Sequence, residues 1–145
     1  MKEEWVEQID ARMADIAESA NRIIRTYWAN AKKQESKLDW KRWGKLTPRC
    51  RVGTTGRAYL VWCEIEFRTR KTDKTRYKLF KELPKGKGDS YHKGTLRRIA
   101  QDWELETVME YEEMFASMRR ELGYLMKLRS KILEYGKKGY AYEES

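Results

Sequence analysis

Between Lys2 and Gln34 the chain holds neither glycine nor proline, and Trp5, Ile9, Met13, Ile16, Ala20, Ile23, Tyr27 and Ala31 recur at steps of three and four. That spacing lays one apolar stripe along a helix. The stripe widens at Ile24 and Trp28, so its C-terminal half is expected to be the more deeply buried. Glu18 and Arg22 stand four apart on the wet side, in the order that favours pairing. Gly44 and Pro48 end the period, which leaves Trp40 and Trp43 to cover the end of a core.

Past Pro48 the period falls to two. The segments RCRVG, RAYLVWCEIEFRT and TRYKLFKEL are separated by TTG and RKTDK, which predicts a three-stranded antiparallel meander over 48–83. In its middle strand Tyr59, Val61, Cys63, Ile65 and Phe67 are expected to face the core. Ala58, Leu60, Trp62, Glu64, Glu66 and Arg68 then form the other face, which grows polar toward the hairpin tip.

The stretch PKGKGDSYHKG, 84–94, is too rich in glycine for regular structure and reads as a surface loop. A second striped helix follows over 95–136, capped by Thr95 or Ser90 and ended by Gly136 and Gly139. Asp102 is placed to start a separate segment, which allows a break near 101–103. Val108, Tyr111, Phe115, Met118, Leu122 and Leu125 trace a heptad-like seam on this helix. The expected fold class is α+β in one domain, 1–145. A long N-terminal helix (1–40), the meander (48–83), the loop (84–94) and a long C-terminal helix (95–136) precede a tail (137–145), with the two helices packed antiparallel. A homodimer built on the same stripes competes with the monomer.

At 145 residues the chain is long enough to bury a core without disulfides. Cys50 and Cys63 stand among apolar neighbours and read as buried thiols in a reducing compartment. The N-terminus lacks a long apolar run, which argues against a signal peptide or a membrane span and for the cytoplasm. Charge is the informative quantity. The net charge is +9, and it is uneven: residues 1–40 carry −1, residues 41–98 carry +13 and residues 99–145 carry −3.

Catalytic chemistry finds little support in the residues. His92 is the sole histidine and lies in the glycine loop, so the three or four local ligands of a zinc or iron site are missing. Glu64 and Glu66 faintly resemble the strand carboxylates of Mg²⁺ nucleases, but the spacing is wrong and Arg68 stands where a lysine is needed. Charge pairing with Arg57, Arg76 and Lys78 is the expected role of these acids. PKGKGDS fails the spacing of a nucleotide-binding phosphate loop. No cofactor is expected.

A polyanion surface is better supported. Arg68, Arg70, Lys71, Lys74, Arg76 and Lys78 cluster around one hairpin, Lys85, Lys87 and Lys93 on the loop, and Arg97 and Arg98 on the first turn of the following helix. Cations on strands and loops do not suit a membrane surface, which favours basic amphipathic helices. They suit double-stranded DNA, whose major groove admits a twisted ribbon. One or two of Arg70, Arg76 and Lys78 are placed to read guanine edges, whereas Tyr77, Tyr91 and Trp62 serve either as base-stacking rings or as packing.

IIRTYWA near the end of the first helix, VWCEIEF on the long strand, KGKGDSYHKGTLRR and DWELETVMEYEEMFASMRRELGYL resemble, in order and spacing, the MobI-like conjugative mobilisation proteins. The similarity covers about residues 16–130. The resemblance implies a non-enzymatic relaxosome accessory that binds the origin of transfer and assists a relaxase as partner. Lys85, Lys87, Tyr91, Arg97 and Arg98 fall in the matching words, so the resemblance marks them as binding residues. Two rival readings remain: a phage or plasmid regulator or arm-site DNA binder, and an adaptor for an acidic protein.

Overall fold

The structure, a computed structural model, describes residues 2–54 and 56–138. Helix α1 spans Lys2–Glu35, a 3-10 turn Trp40–Arg42, and strands β1, β2 and β3 span Leu46–Val52, Ala58–Thr69 and Arg76–Glu82. Helix α2 is Lys93–Ile99 and α3 is Asp102–Lys138. Glu3 and Glu4 open α1 while Lys32 and Lys33 close it, matching charge to the partial charges at the helix ends. The expected α+β class, meander and long terminal helices are all present. Of the tail, Lys137 and Lys138 continue α3, and 139–145, including Gly139, lie outside the described residues.

The long helices are antiparallel. In the N-terminal part of α1, Arg12 holds Glu121 through two hydrogen bonds of 2.6 and 2.9 Å, and Asp10, two residues earlier, is reached at 2.8 Å by Arg129, eight residues later in α3. Between them Ile9, Met13 and Ile16 pack with Leu122 and with Ala58 of the sheet. The larger core lies toward the opposite end, where Ala20, Ile24 and Tyr27 of α1 meet Leu60 and Trp62 of β2 and Val108 and Phe115 of α3. Each fully buried aliphatic side chain there contributes about 2 kcal/mol of transfer free energy. Trp28, expected in this deeper half, is 47% exposed.

The sheet order is β1-β2-β3, both pairs antiparallel. Its parity is the reverse of the expected one. Ala58, Leu60 and Trp62 point to the helices, with Trp62 wholly buried. Val61, Cys63 and Ile65 lie on the opposite face and are nonetheless buried. Residues 58–63 are apolar on both faces, so alternation carries no direction there. Trp62 fixes the choice by donating its indole N–H to Glu112 at 3.0 Å.

Glu112 and Arg119 form a buried pair, bidentate at 2.9 Å on both oxygens. The pair completes the sheet where β3 stops. Glu82 lies opposite Cys63, so β2 has no third-strand partner beyond about Trp62. Arg119 Nε donates instead to the Leu60 carbonyl at 2.9 Å, and the Tyr91 hydroxyl accepts from Trp62 N at 3.2 Å while donating to the Leu83 carbonyl at 2.8 Å. These polar groups replace a strand edge that burial would otherwise leave unsatisfied.

The long C-terminal helix is broken where Asp102 allowed it to be. Ala100 closes α2 in an extended conformation, and Glu104 folds back to accept from Gln101 N at 2.9 Å at the start of α3. Neither Thr95 nor Ser90 caps α2: its N-cap is His92, whose side chain makes no capping bond. The buried seam of α3 also differs from the expected one. It runs through Glu104, Val108, Glu112, Phe115, Arg119 and Leu122, leaving Tyr111 and Met118 half-buried at its side.

Candidate nucleic-acid interface

Residues paired across an antiparallel ladder share a face. The register therefore puts Arg49 and Arg51 of β1, Tyr59 and Phe67 of β2, and Arg76, Lys78 and Phe80 of β3 on the face away from the α3 side. The 3-10 turn brings Trp40 and Trp43 edge-on to Phe67, with ring centroids 6.4 and 5.8 Å apart. Those two indoles cover the outer sheet face, whereas the sequence had suggested the end of the helical core.

On this face cations and rings alternate. The Arg76 guanidinium lies 3.8 Å from the Trp40 ring, Lys45 Nζ 4.8 Å from Phe67, Arg49 5.0 Å from Phe80 and Lys78 Nζ 5.6 Å from Trp43. Arg51 and Arg57 both stack on Tyr59, at 4.6 and 5.2 Å. An aromatic face holds a cation by its quadrupole without cancelling its charge, so the positive groups are fixed side by side and their field is kept. Two acids intervene: Glu82 pairs with Arg51 at 2.8 Å, and Glu35 stands 3.6 Å from Lys78.

The β2–β3 hairpin extends the surface. Its tip is held by Arg70 N–H donating to the Thr75 carbonyl at 2.8 Å and by Asp73, which accepts from the Thr75 hydroxyl at 2.7 Å. These bonds hold the Asp73 carboxyl below its usual range and occupy it within the turn. Lys74 takes the left-handed conformation, φ 62°. Arg70, Lys71 and Lys74 are exposed, and among the described residues none of them has a carboxylate partner. Behind the tip Arg70 lies 5.6 Å from the Tyr77 ring. Arg68, Arg98 of α2 and Lys45 line one shallow depression with Trp40 and Phe67, and Glu64 and Glu66 share it.

The sequence-predicted cations thus separate into groups. Arg68, Arg70, Lys71, Lys74, Arg76, Lys78 and Arg98 gather at the hairpin end. The loop does not join them: β3 carries the chain six residues from Arg76 to Glu82, about 20 Å, before the loop begins. Lys85 is half-buried and donates to the carbonyls of Gly86 and Gly88 in its own loop, and Lys87 is exposed at that far end. Lys93 and Arg97 line a groove with Glu106, Glu110 and Glu113 of α3, which offsets their charge.

Tyr91 is corrected outright. It is 2% exposed, its N–H donates to Glu112 at 2.8 Å and its hydroxyl is committed to the sheet edge, so neither ring nor hydroxyl faces a ligand. Trp62 is excluded as a stacking ring for the same reason. The pairing expected of Glu64 and Glu66 also fails, because Arg76 and Lys78 lie on the other face; Glu66 pairs with Arg68 at 3.2 Å and Glu64 stands opposite Lys81. The two cysteines lie on opposite faces as free thiols, their pKa values pushed up by burial.

Lys45, Arg49 and Arg51 escaped the sequence reading, which gave Arg57 to the strand acids and the rings to the core. Arg49 and Arg51 alternate, as do Lys78, Phe80 and Glu82, and that alternation was the available signal for one charged face. Among the described residues no cluster of three or more His, Cys, Asp or Glu is arranged to hold a metal ion, and no helix is long and apolar enough to cross a membrane. A protein-family model described as MobI protein matches residues 16–133. No curated protein and no solved structure matches the chain.

Proposed function

The chain belongs to the MobI family, which places it in conjugative mobilisation, and from that premise we propose that it is an accessory protein that binds double-stranded DNA at the origin of transfer and assists a relaxase. The observation that carries this reading is the outer sheet face, where cations are spaced by aromatic rings and few acids intervene. Phosphates along a groove suit such a spread of fixed charge, and exposed Lys71 and Lys74 at the hairpin tip suit the groove itself. Backbone contacts of this kind supply affinity, and in this reading one or two of Arg70, Arg76 and Lys78 also reach guanine edges.

The test is a gel shift with origin-of-transfer duplex, an unrelated duplex of equal length and an RNA of the same sequence. Tighter binding to the origin duplex, weakened by Arg70→Ala and Arg76→Ala, supports the reading. Equal affinity for every polyanion reduces the surface to unspecific charge, and stoichiometric capture of an acidic protein without DNA favours the adaptor.

A further inference from the structure

Between the last two turns of α1 and the outer sheet face runs a groove of about 640 Å³. Its walls are aromatic and aliphatic: Trp28 and Ala31 from the helix, Trp43 from the turn, Ile65 and Phe80 from the sheet. Trp28 and Phe80 are 47% and 45% exposed, yet both are held in place. The Trp28 indole donates to the Thr47 hydroxyl at 2.8 Å, and Arg49 caps the Phe80 ring at 5.0 Å. Lys32, Arg49 and Lys78 stand at the rim.

We propose that this groove receives an unpaired nucleobase, so that the protein grips DNA where one base has left the duplex. The inference rests on the DNA-binding reading above and adds the form of DNA that the site takes. A groove of this volume falls in the range that small ligands occupy, and exposed rings with a cationic rim are the combination that holds a base by its π face and its phosphate by charge. Charge complementarity selects the occupant: three rim cations face one carboxylate, Glu35. One Glu35 oxygen already accepts from Gly44 N at 3.1 Å and the other lies 3.6 Å from Lys78. The spare lone pairs of that carboxylate give a base N–H a partner in the groove lining. An apolar peptide would leave the three rim cations without counter-charges.

The test uses the full chain and three probes of one sequence: a perfect duplex, the same duplex with a single bulged base, and the single strand. A fluorescent base analogue at the bulge reports stacking. The bulged duplex is expected to bind on the order of tenfold tighter than the perfect one, the effect of one base–aromatic stack, with quenching of the analogue. Trp28→Leu removes that gain and leaves perfect-duplex affinity nearly unchanged, Phe80→Leu weakens the bulged duplex more than the perfect one, and Phe80→Tyr keeps the gain. Equal binding of bulged and perfect duplex, or an equal loss on both with Phe80→Leu, overturns the groove's role alone. Failure of all three probes to bind overturns the DNA-binding reading itself.

Discussion

Replacing Arg119 by methionine tests whether the loop and the open edge of β2 are held by one buried ion. The guanidinium supplies both oxygens of Glu112 at 2.9 Å, the Leu60 carbonyl at 2.9 Å and the Asp89 carbonyl at 2.9 Å. Methionine fills much of the volume and supplies no donor. Glu112 would keep two partners, the Trp62 indole N–H and the Tyr91 N–H, and remain a buried charge without a counter-ion. Breaking such a pair from one side costs about 3–5 kcal/mol, a large share of the ~5–15 kcal/mol that stabilises a typical domain. For a chain of this length the midpoint of thermal unfolding falls by roughly 10 °C. Urea denaturation followed by tryptophan fluorescence, with the Trp62 indole bonded to Glu112, reads the change directly. Adding Glu112→Gln to Arg119→Met removes the orphan charge, so the double variant should be more stable than the single one. A loss below about 1 kcal/mol, or a double variant no better than Arg119→Met, refutes the reasoning.

Glu104 is buried and accepts from Lys45 N at 2.7 Å and Gln101 N at 2.9 Å. Burial nevertheless raises its pKa above its ordinary value of 4.5. The native state therefore holds this proton more tightly than the unfolded one, and its contribution is present at low pH and lost as pH rises through the raised value. Unfolding curves across that window should show this decline in the native sequence and a flatter profile in Glu104→Gln; identical profiles contradict the assignment. Tyr91→Phe strips the hydroxyl that bridges Trp62 N and the Leu83 carbonyl, and should lower stability by about 1–3 kcal/mol without changing duplex affinity of the folded protein. Lys93→Ala and Arg97→Ala, whose charges face the acids of α3, should weaken duplex binding less than Arg76→Ala in a filter-binding titration.

The helices were legible because their stripes are long and uninterrupted, and the strands because Gly53–Gly56 and the Asp73 turn punctuate them. Gly56 has φ 84°, a left-handed turn that glycine accepts freely. Gly44 is as specific in another way, since a Cβ there would come within 3.0 Å of a Glu104 oxygen. The orientation of β2 was not legible, because its apolar residues serve both faces. Glu112 and Arg119 did carry a signal: they sit at steps of four, three, four and three among Val108, Phe115 and Leu122, charged residues on buried spacing. Tyr91 gave none, since its burial depends on α3 and the sheet closing around a loop that looks exposed. The cationic surface was read on consecutive residues of the hairpin, whereas the fold assembles it by strand parity from β1, β3 and the 3-10 turn.

The dependence of duplex affinity on salt tests the shared positive surface most directly. Each phosphate neutralised contributes about 0.9 to the slope of log K against log salt, so Arg49→Ala, Arg76→Ala and Lys78→Ala combined should flatten the slope by roughly 2–3 while circular dichroism shows the fold intact. A slope left unchanged by the triple variant, or an affinity that does not fall with salt in the native protein, contradicts the account.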